Sequence, residues 1–235
     1  MPRVKELPPP PEKPELSPPA WVTGEERITI HGLPGEPSLE AAFRAPANPE
    51  RTVVLCHPHP VYGGTMHSAV VLAVAKVLAE KEGERAACVR FNYRGVGASE
   101  GAYDQGRGET LDVRAVIDFA RERVPGKPIT VCGYSFGTGV GLHAAAAEAE
   151  RGDIDRVVLI APAVRIFEFV EVDAKAVRAP IAIFVGDDDE FCDVSEAEAL
   201  ARTIGASLEV LPQSDHYFLR SRRKLAEKVV PALFV

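Results

Sequence analysis

A serine between two glycines stands where the chain passes from an apolar run into a helical pattern. Residues 133–137 read Gly-Tyr-Ser-Phe-Gly, directly after the β-branched run that ends at Cys132. A serine in this Gly-x-Ser-x-Gly pattern occupies a tight strand-to-helix turn that exposes its Oγ, and small flanking residues avoid collisions with the neighbouring strand and helix. The helix that follows directs its N-terminal amides toward the same point. Ser135 is therefore a candidate nucleophile.

A serine nucleophile needs a general base, and only two of the six histidines follow Ser135 in the chain. His143 falls inside the helix predicted after the serine and is expected to point away from the site. His216 lies in a Ser-Asp-His-Tyr-Phe block after the last apolar run, at the predicted start of the last helix. The chain order serine, acid, histidine places the base there. His216 is the candidate base, and an ordinary surface histidine is the alternative interpretation.

The acid that orients the base is expected directly after the apolar run 181–185, where three aspartates follow one another. Asp187, Asp188 and Asp189 are all of the right type to orient a histidine, so the residue types alone leave the assignment open. An acidic cluster at a strand end is also compatible with a cation site, although the glycine-punctuated spacing of a calcium loop is absent.

The oxyanion of an acyl-transfer intermediate needs two preorganised N–H donors. The backbone N–H of Phe136, next to the candidate nucleophile, is the first expected donor. The second is expected from the loop 57–64, His-Pro-His-Pro-Val-Tyr-Gly-Gly. The two prolines lack an N–H, so His59 and Val61 are the nearest donors, and we favour His59. The alternating histidines together with His67 also suggest a metal site, but no cysteine or acid stands at ligand spacing.

Eight short β-branched runs alternate with helical patterns along the chain. The runs are Glu26–His31, Leu39–Arg44, Thr52–Cys56, Ala86–Phe91, Ile129–Cys132, Arg156–Ile160, Ile181–Val185 and Ser207–Leu211, and the helical patterns cover about 65–82, 109–123, 136–150, 193–204 and 216–230. The first two runs flank a turn and predict an antiparallel pair at a sheet edge. The later runs are continuously apolar, which is typical of strands covered on both faces. Together they predict an α/β protein, a three-layer α/β/α sandwich with about eight mostly parallel strands and its site at their carboxyl ends.

The glycine-containing loop 91–101 follows the fourth run and reads Phe-Asn-Tyr-Arg-Gly-Val-Gly-Ala-Ser-Glu-Gly. A lone Gly-x-Gly is weak support for dinucleotide binding, and the acidic residue expected after a second strand is absent. We interpret the segment as a structural loop at the rim of the site. Arg94 is predicted to form an internal ion pair with Asp104 or Glu109.

The composition limits the classes of protein that this chain can belong to. It has 235 residues, of which 46% are hydrophobic and 26% charged, and a formal net charge of −7. An acidic chain of this length favours one soluble domain and argues against nucleic-acid and anionic-membrane partners. Four scattered cysteines indicate buried thiols rather than a disulfide scaffold. No apolar run is long enough to span a membrane, and no secretory signal is recognised, so we expect a cytoplasmic protein. The sequence does not predict its oligomeric state.

The first residues depart from this average, because eight of the 20 prolines fall within residues 1–19. Such a run favours an extended polyproline conformation. It is either a docking arm for a partner that binds proline-rich segments or a terminal extension, and we favour the extension. We therefore divide the chain into a proline-rich extension, residues 1–24, and one domain, residues 25–235. The single tryptophan, Trp21, is expected to attach the extension to the domain.

Five blocks of the sequence together resemble the α/β-hydrolase superfamily, in particular small lidless bacterial predicted hydrolases related to dienelactone hydrolase and the serine esterases. The blocks are HPHPVYGG at 57–64, FNYRGVGASEG at 91–101, GYSFG at 133–137, GDDDE at 186–190 and SDHYF at 214–218. The resemblance covers about residues 25–232 and leaves out the proline-rich start. It implies that the acid stands three residues after the glycine that closes the strand, which is Asp189. The family's oxyanion loop supports His59.

The resemblance also implies that the domain has no cap, since only about 20 residues separate the two runs between which many relatives insert one. Four apolar residues of this stretch either form a low wall over the site or pack on the core; they are Ile166, Phe167, Phe169 and Val170. An open site of this kind implies small acyl esters or a larger substrate approached from solvent.

The function implied is that of a carboxylic-ester hydrolase, a carboxylesterase of class EC 3.1.1, acting on a small-molecule ester. Ser135, His216 and Asp189 would form its triad, with no metal and no organic cofactor. The same residues would serve a thioester, lactone or amide hydrolase. The alternative from another class is a non-catalytic binding protein on a hydrolase fold that uses the proline-rich arm.

Overall fold

A computed structural model of the chain describes residues 17–164 and 176–234. The strands are β1 (Glu26–Ile30), β2 (Leu39–Arg44), β3 (Arg51–Cys56), β4 (Ala86–Phe91), β5 (Ile129–Tyr134), β6 (Ile154–Ile160), β7 (Ile181–Gly186) and β8 (Ser207–Leu211). The α-helices are α1 (Ala69–Glu82), α2 (Arg107–Arg123), α3 (Phe136–Ala147), α4 (Val194–Ile204) and α5 (Arg222–Ala232). All eight predicted runs are strands, with boundaries shifted by at most two residues.

The eight strands form one sheet in the order β1-β2-β4-β3-β5-β6-β7-β8. β1 pairs antiparallel with β2, and β2 pairs antiparallel with β4, whereas all later pairs are parallel. The predicted antiparallel pair at one edge of a mostly parallel sheet is therefore confirmed. The carboxyl ends of β3, β5, β6, β7 and β8 lie at the same edge, so the loops that follow them gather there.

Apolar side chains cover both faces of the sheet, which explains why its strands are continuously apolar. Along β3, Val54 and Cys56 join the core shared with α2, α3 and α4, while Val53 and Leu55 join the core shared with α1 and α5. This alternation follows from the two-residue period of a strand. The predicted three-layer α/β/α sandwich is confirmed.

Two helices begin later than the sequence patterns predict. α1 begins at Ala69 rather than 65, because the Thr65 N–H donates to Ser68 Oγ and closes a separate turn. α5 begins at Arg222 rather than 216, so the prediction that His216 opens the last helix is wrong. Polar side chains that bond to nearby backbone compete with helix formation and favour such turns.

The four cysteines are all free and buried, in agreement with the expected reduced thiols. Burial raises the pKa of the Cys56 and Cys88 thiols to about 12. Among the helices in residues 17–164 and 176–234, none combines the length and the apolar character needed to cross a bilayer.

Ordered contacts hold the segment that precedes β1 against the sheet. The fully buried Arg90 of β4 pairs with Glu25 and donates to the backbone oxygen of Ala20. The Trp21 ring lies edge-on to the His67 ring, with centroids 5.6 Å apart, so the contact expected of Trp21 is present. Residues 1–16 lie outside the described residues, as do Ile166, Phe167, Phe169 and Val170. The division at residue 24 stays a prediction.

Candidate active site

Ser135 lies at the junction of β5 and α3 with a left-handed backbone, φ 53° and ψ −117°. A non-glycine residue rarely adopts a positive φ, and such strain persists only where the surroundings enforce it. The turn is tight enough that a Cβ on Gly133 would lie 2.2 Å from the oxygen of Gly137. The Gly-x-Ser-x-Gly pattern thus forms a strand-to-helix turn, as a nucleophilic serine requires, and the turn holds the Ser135 Oγ at the carboxyl edge of the sheet.

Gly137 allows α3 to approach the loop after β3. A Cβ at this position would lie 2.4 Å from the backbone oxygen of Cys56, whereas a Cβ on Gly139 has nothing within 4 Å. We expect Gly137→Ala to lower the free energy of unfolding by about 1–3 kcal/mol, because backbone must move. Gly139→Ala is the matched control and is expected to raise it by up to ~1 kcal/mol, since alanine favours helix.

Urea unfolding of both variants checks this prediction. Equal unfolding midpoints for Gly137→Ala and Gly139→Ala would show that the close approach carries no energetic weight.

His216 lies between the serine and one aspartate. Its Nε2 is 3.0 Å from Ser135 Oγ, and its Nδ1 is 3.0 and 2.9 Å from the two carboxylate oxygens of Asp189. The three residues are 8%, 3% and 4% exposed for Ser135, His216 and Asp189 respectively. A neutral imidazole with its proton on Nδ1 donates to the carboxylate and presents Nε2 as an acceptor to the hydroxyl. This is the arrangement in which a histidine removes a proton from serine.

The structure distinguishes the three consecutive aspartates by burial and partners. Only Asp189 is buried, and its Oδ1 also accepts hydrogen bonds from the backbone N–H groups of Phe191 and Cys192. Asp187 and Asp188 are exposed, and the Asp187 carboxylate accepts from the Ser214 N–H. The geometry therefore brings Asp189, and neither neighbour, to the histidine.

Two contacts that the sequence did not indicate fix the position of the loop after β8, which contains His216. The Tyr134 hydroxyl donates to the backbone oxygen of His216 at 3.1 Å, across 82 residues of chain. The loop after β7 packs on the loop after β8 so closely that a Cβ on Gly186 would lie 2.0 Å from the Ser214 oxygen. No local signal in the sequence identifies Tyr134 as a brace, because its partner is distant in the chain.

The loop after β3 approaches the start of α3, with the rings of His59 and Phe136 4.8 Å apart. Of the two candidate donors in this loop, Val61 already donates its N–H to His59 Nδ1 at 3.3 Å. The oxygen of His59 accepts from the N–H groups of Tyr62 and Gly64, which closes a short 3-10 turn. These bonds fix the conformation of the His59 backbone, and the His59 ring packs against that of Phe136.

The histidines of the loop after β3 form hydrogen bonds that hold neighbouring loops together. His57 is fully buried; its Nδ1 donates to the Pro58 oxygen, and its Nε2 accepts from the Tyr93 N–H. Burial lowers the pKa of His57 to about 3 and that of His59 to about 4. Within the part of the chain that the structure describes, no three His, Cys, Asp or Glu side chains gather as metal ligands.

The buried His57 makes stability depend on pH. The unfolded chain binds a proton there near pH 6.5, while the folded chain binds it only near pH 3. The unfolded state therefore holds more protons between these values, and the free energy of unfolding falls as the pH falls, by up to ~1.4 kcal/mol per pH unit for this group. Urea titrations at pH 7, 6 and 5 measure the slope, which His57→Asn is expected to flatten. Equal slopes in the two proteins would contradict the assignment.

Arg94 forms an internal ion pair as predicted, but with other partners. Its guanidinium bonds to the buried Asp112 at 2.8 Å and to Glu36 at 2.8 Å, so the prediction of Asp104 or Glu109 is wrong. Glu109 accepts instead from the backbone N–H groups of Asp104 and Gly106 and caps α2. Arg94 thus holds the loop after β4 to α2.

Comparison with known proteins gives consistent results. A family model described as alpha/beta hydrolase fold matches residues 51–177. A serine hydrolase without lid from Xanthomonas campestris, XC6422, is 31% identical, with a TM-score of 0.73 over 92% of this chain and 94% of its own. An alpha-beta serine hydrolase homologue from Coxiella burnetii is 32% identical, with a TM-score of 0.75 over 90% and 99%. The uncharacterized protein RP471 of Rickettsia prowazekii is 26% identical over 82% of each chain.

Proposed function

Since the chain belongs to the α/β-hydrolase family, we propose that it is a serine hydrolase that cleaves small carboxylic esters through Ser135, His216 and Asp189. The observation that carries this proposal is the continuous line of hydrogen bonds from Asp189 through His216 to Ser135 Oγ. Structural neighbours described as serine hydrolases, one of them without a lid, support it.

In the acylation half-reaction, Ser135 Oγ attacks the ester carbonyl carbon while its proton passes to His216 Nε2. Asp189 stabilises the imidazolium that forms and keeps the ring in place. The backbone N–H groups of Phe136 and His59 donate to the oxyanion of the tetrahedral intermediate. His216 then gives its proton to the alcohol oxygen as the carbon–oxygen bond breaks, which leaves an acyl-serine.

Deacylation repeats these steps with water as the nucleophile. His216 Nε2 removes a proton from the water as the oxygen attacks the acyl carbon, and the same two N–H groups hold the second oxyanion. The proton returns to Ser135 Oγ as the acid is released. Every proton moves between the ester, water and these side chains, so the mechanism needs no metal and no organic cofactor.

The proposed substrate class follows from the length of the segment between β6 and β7, where a cap domain would be inserted. Only 20 residues separate the end of β6 from the start of β7, which is too short for a separate cap domain. We therefore propose a small ester that reaches Ser135 from solvent. Thioesters, lactones and amides present the same carbonyl chemistry and are the alternatives within this mechanism. A purely binding role is disfavoured because it gives no reason for a buried Ser-His-Asp line.

A panel of p-nitrophenyl esters with acyl chains of two to twelve carbons tests the proposal, together with labelling by a fluorophosphonate probe. We expect hydrolysis that is fastest for the short chains and loss of activity in proportion to labelling. Intact, folded protein that neither hydrolyses any ester of the panel nor takes up the probe would overturn the proposal. A panel of matched thioesters and amides separates the alternatives by their kcat/KM values.

The role of the His59 amide has its own test, because the backbone there has φ −57° and is compatible with proline. His59→Ala removes the side chain and keeps the N–H, whereas His59→Pro removes both. We expect kcat for His59→Pro to be about 10²-fold below that of His59→Ala, since one oxyanion donor is lost. Equal kcat values in two folded variants would assign the second donor elsewhere.

A further inference from the structure

The leaving alcohol of the ester must lie beside His216, because Nε2 protonates the alcohol oxygen as the ester bond breaks. Two aromatic side chains contact this imidazole ring from the loops after β7 and β8. The Phe191 ring centroid is 4.7 Å from that of His216 at an interplanar angle of 68°, and the Tyr217 centroid is 5.4 Å away at 87°. Both rings therefore lie against the side chain that would protonate the alcohol oxygen.

The positions of both aromatic residues are tied to the proposed acid and base. The Phe191 N–H donates to Asp189 Oδ1 at 2.8 Å, and Tyr217 directly follows His216. The backbone oxygen of Tyr217 accepts from Arg222 Nε at 3.2 Å. Phe191 is half-buried and Tyr217 is 49% exposed, so solvent reaches both residues beside His216.

Three carboxylates act on the Tyr217 hydroxyl, while the Arg222 guanidinium bonds to the backbone oxygen of the same residue. Partial burial raises the pKa of the Tyr217 hydroxyl, and the carboxylates of Glu190, Asp189 and Asp215 raise it further. Glu190 is exposed, and Asp215 directly precedes His216. An anionic group at this position would be repelled, whereas aromatic faces and carboxylates both attract a cation.

We propose that Phe191 and Tyr217 form the alcohol-binding face of the site and that this face selects neutral or cationic aromatic alcohols over anionic ones. The inference rests on the proposed function, since it concerns the leaving group of the same reaction. The aromatic rings supply contact area, and the neighbouring carboxylates supply the discrimination by charge.

Three aryl acetates test this inference: 3-acetylphenyl acetate, its 3-trimethylammonio analogue and its 3-sulfonate analogue. All three form the same acetyl-enzyme, so differences in kcat/KM arise from the alcohol alone. Dividing each kcat/KM by the rate constant for hydroxide hydrolysis removes the intrinsic reactivity of the leaving group. We expect the anionic ester to be about 5- to 10-fold slower than the neutral one, as for one partly screened charge, and the cationic ester to be at least equal to it.

Variants separate the charge from the aromatic contact. Glu190→Gln and Asp215→Asn are expected to bring the anionic ester closer to the neutral one. Tyr217→Leu is expected to reduce the preference for phenyl over methyl acetate by about 3- to 10-fold, since an aromatic contact is lost. Glu122→Gln makes the same charge change at the exposed end of α2, on the opposite edge of the sheet, and is expected to leave all ratios unchanged.

The outcomes separate this inference from the proposed function. Equal normalised rates for the three esters, with turnover that depends on Ser135, would contradict the proposed alcohol-binding face. They would leave the proposed hydrolase function unaffected. Glu122→Gln and Glu190→Gln with the same effect would also overturn it. No hydrolysis of any ester, without labelling by fluorophosphonate, would overturn both.

Discussion

Replacing Ser135 with alanine is expected to lower kcat for p-nitrophenyl acetate by about 10⁶-fold, the loss seen when a serine protease loses its nucleophile. In the proposed mechanism Ser135 Oγ attacks the ester, and it lies 3.0 Å from His216 Nε2. The substitution removes one atom from a residue that is 8% exposed, so the fold should remain intact. Steady-state kinetics and fluorophosphonate labelling measure the loss.

The matched control is Ser207→Ala, which makes the same change at an exposed serine at the start of β8. It should keep full activity and labelling. Circular dichroism and urea unfolding of both variants show whether the fold is preserved. A kcat of Ser135→Ala within tenfold of that of the unmodified chain would show that Ser135 is not the nucleophile.

Replacing Asp189 with asparagine is expected to lower kcat about 10⁴-fold, the loss seen when the orienting acid of such a triad is removed. The Oδ1 of the new amide can still accept from the N–H groups of Phe191 and Cys192, so the loop should stay in place. The amide nitrogen then faces His216 Nδ1 and donates to it. This places the ring proton on Nε2, which points at Ser135 Oγ and can no longer accept its proton.

Asp187→Asn and Asp188→Asn are the matched controls, because they make the same change in the two preceding residues. Both side chains are exposed, and an asparagine oxygen at 187 can still accept from the Ser214 N–H. We expect each control to keep kcat within about 3-fold, as for surface substitutions away from the reacting atoms. A loss of 10³-fold or more in either control, with Asp189→Asn near normal, would reassign the acid.

The elements of the fold were readable from the sequence because their signals are local. A strand covered on both faces must be apolar over four to seven consecutive residues, as Thr-Val-Val-Leu-Cys is in β3. The Gly-x-Ser-x-Gly turn is likewise specified by five adjacent residues, since the clash that it avoids lies between Gly133 and Gly137. The predicted starts of α1 and α5 are too early, because the turns that precede these helices depend on the side chains of Ser68 and Asp215, which accept from nearby backbone N–H groups.

The choice among similar residues was decided only by the tertiary structure. His216 is 27 residues from Asp189 and 81 from Ser135 along the chain, and three adjacent aspartates offer the same chemistry to any pattern. Burial and the two backbone N–H groups that bind Asp189 distinguish it from its neighbours. The amide of Val61 is engaged by the His59 ring, and Arg94 pairs with Asp112 and Glu36.

The sequence by itself therefore determined the strands, the order of the layers and the Gly-x-Ser-x-Gly turn, since each depends on neighbours within a few residues. The tertiary structure decided which carboxylate faces His216, that the Val61 amide donates to the His59 ring, and that Phe191 and Tyr217 lie against His216. These contacts join loops from distant parts of the chain. Their geometry depends on how the carboxyl ends of β3, β5, β7 and β8 come together, and no local pattern records that.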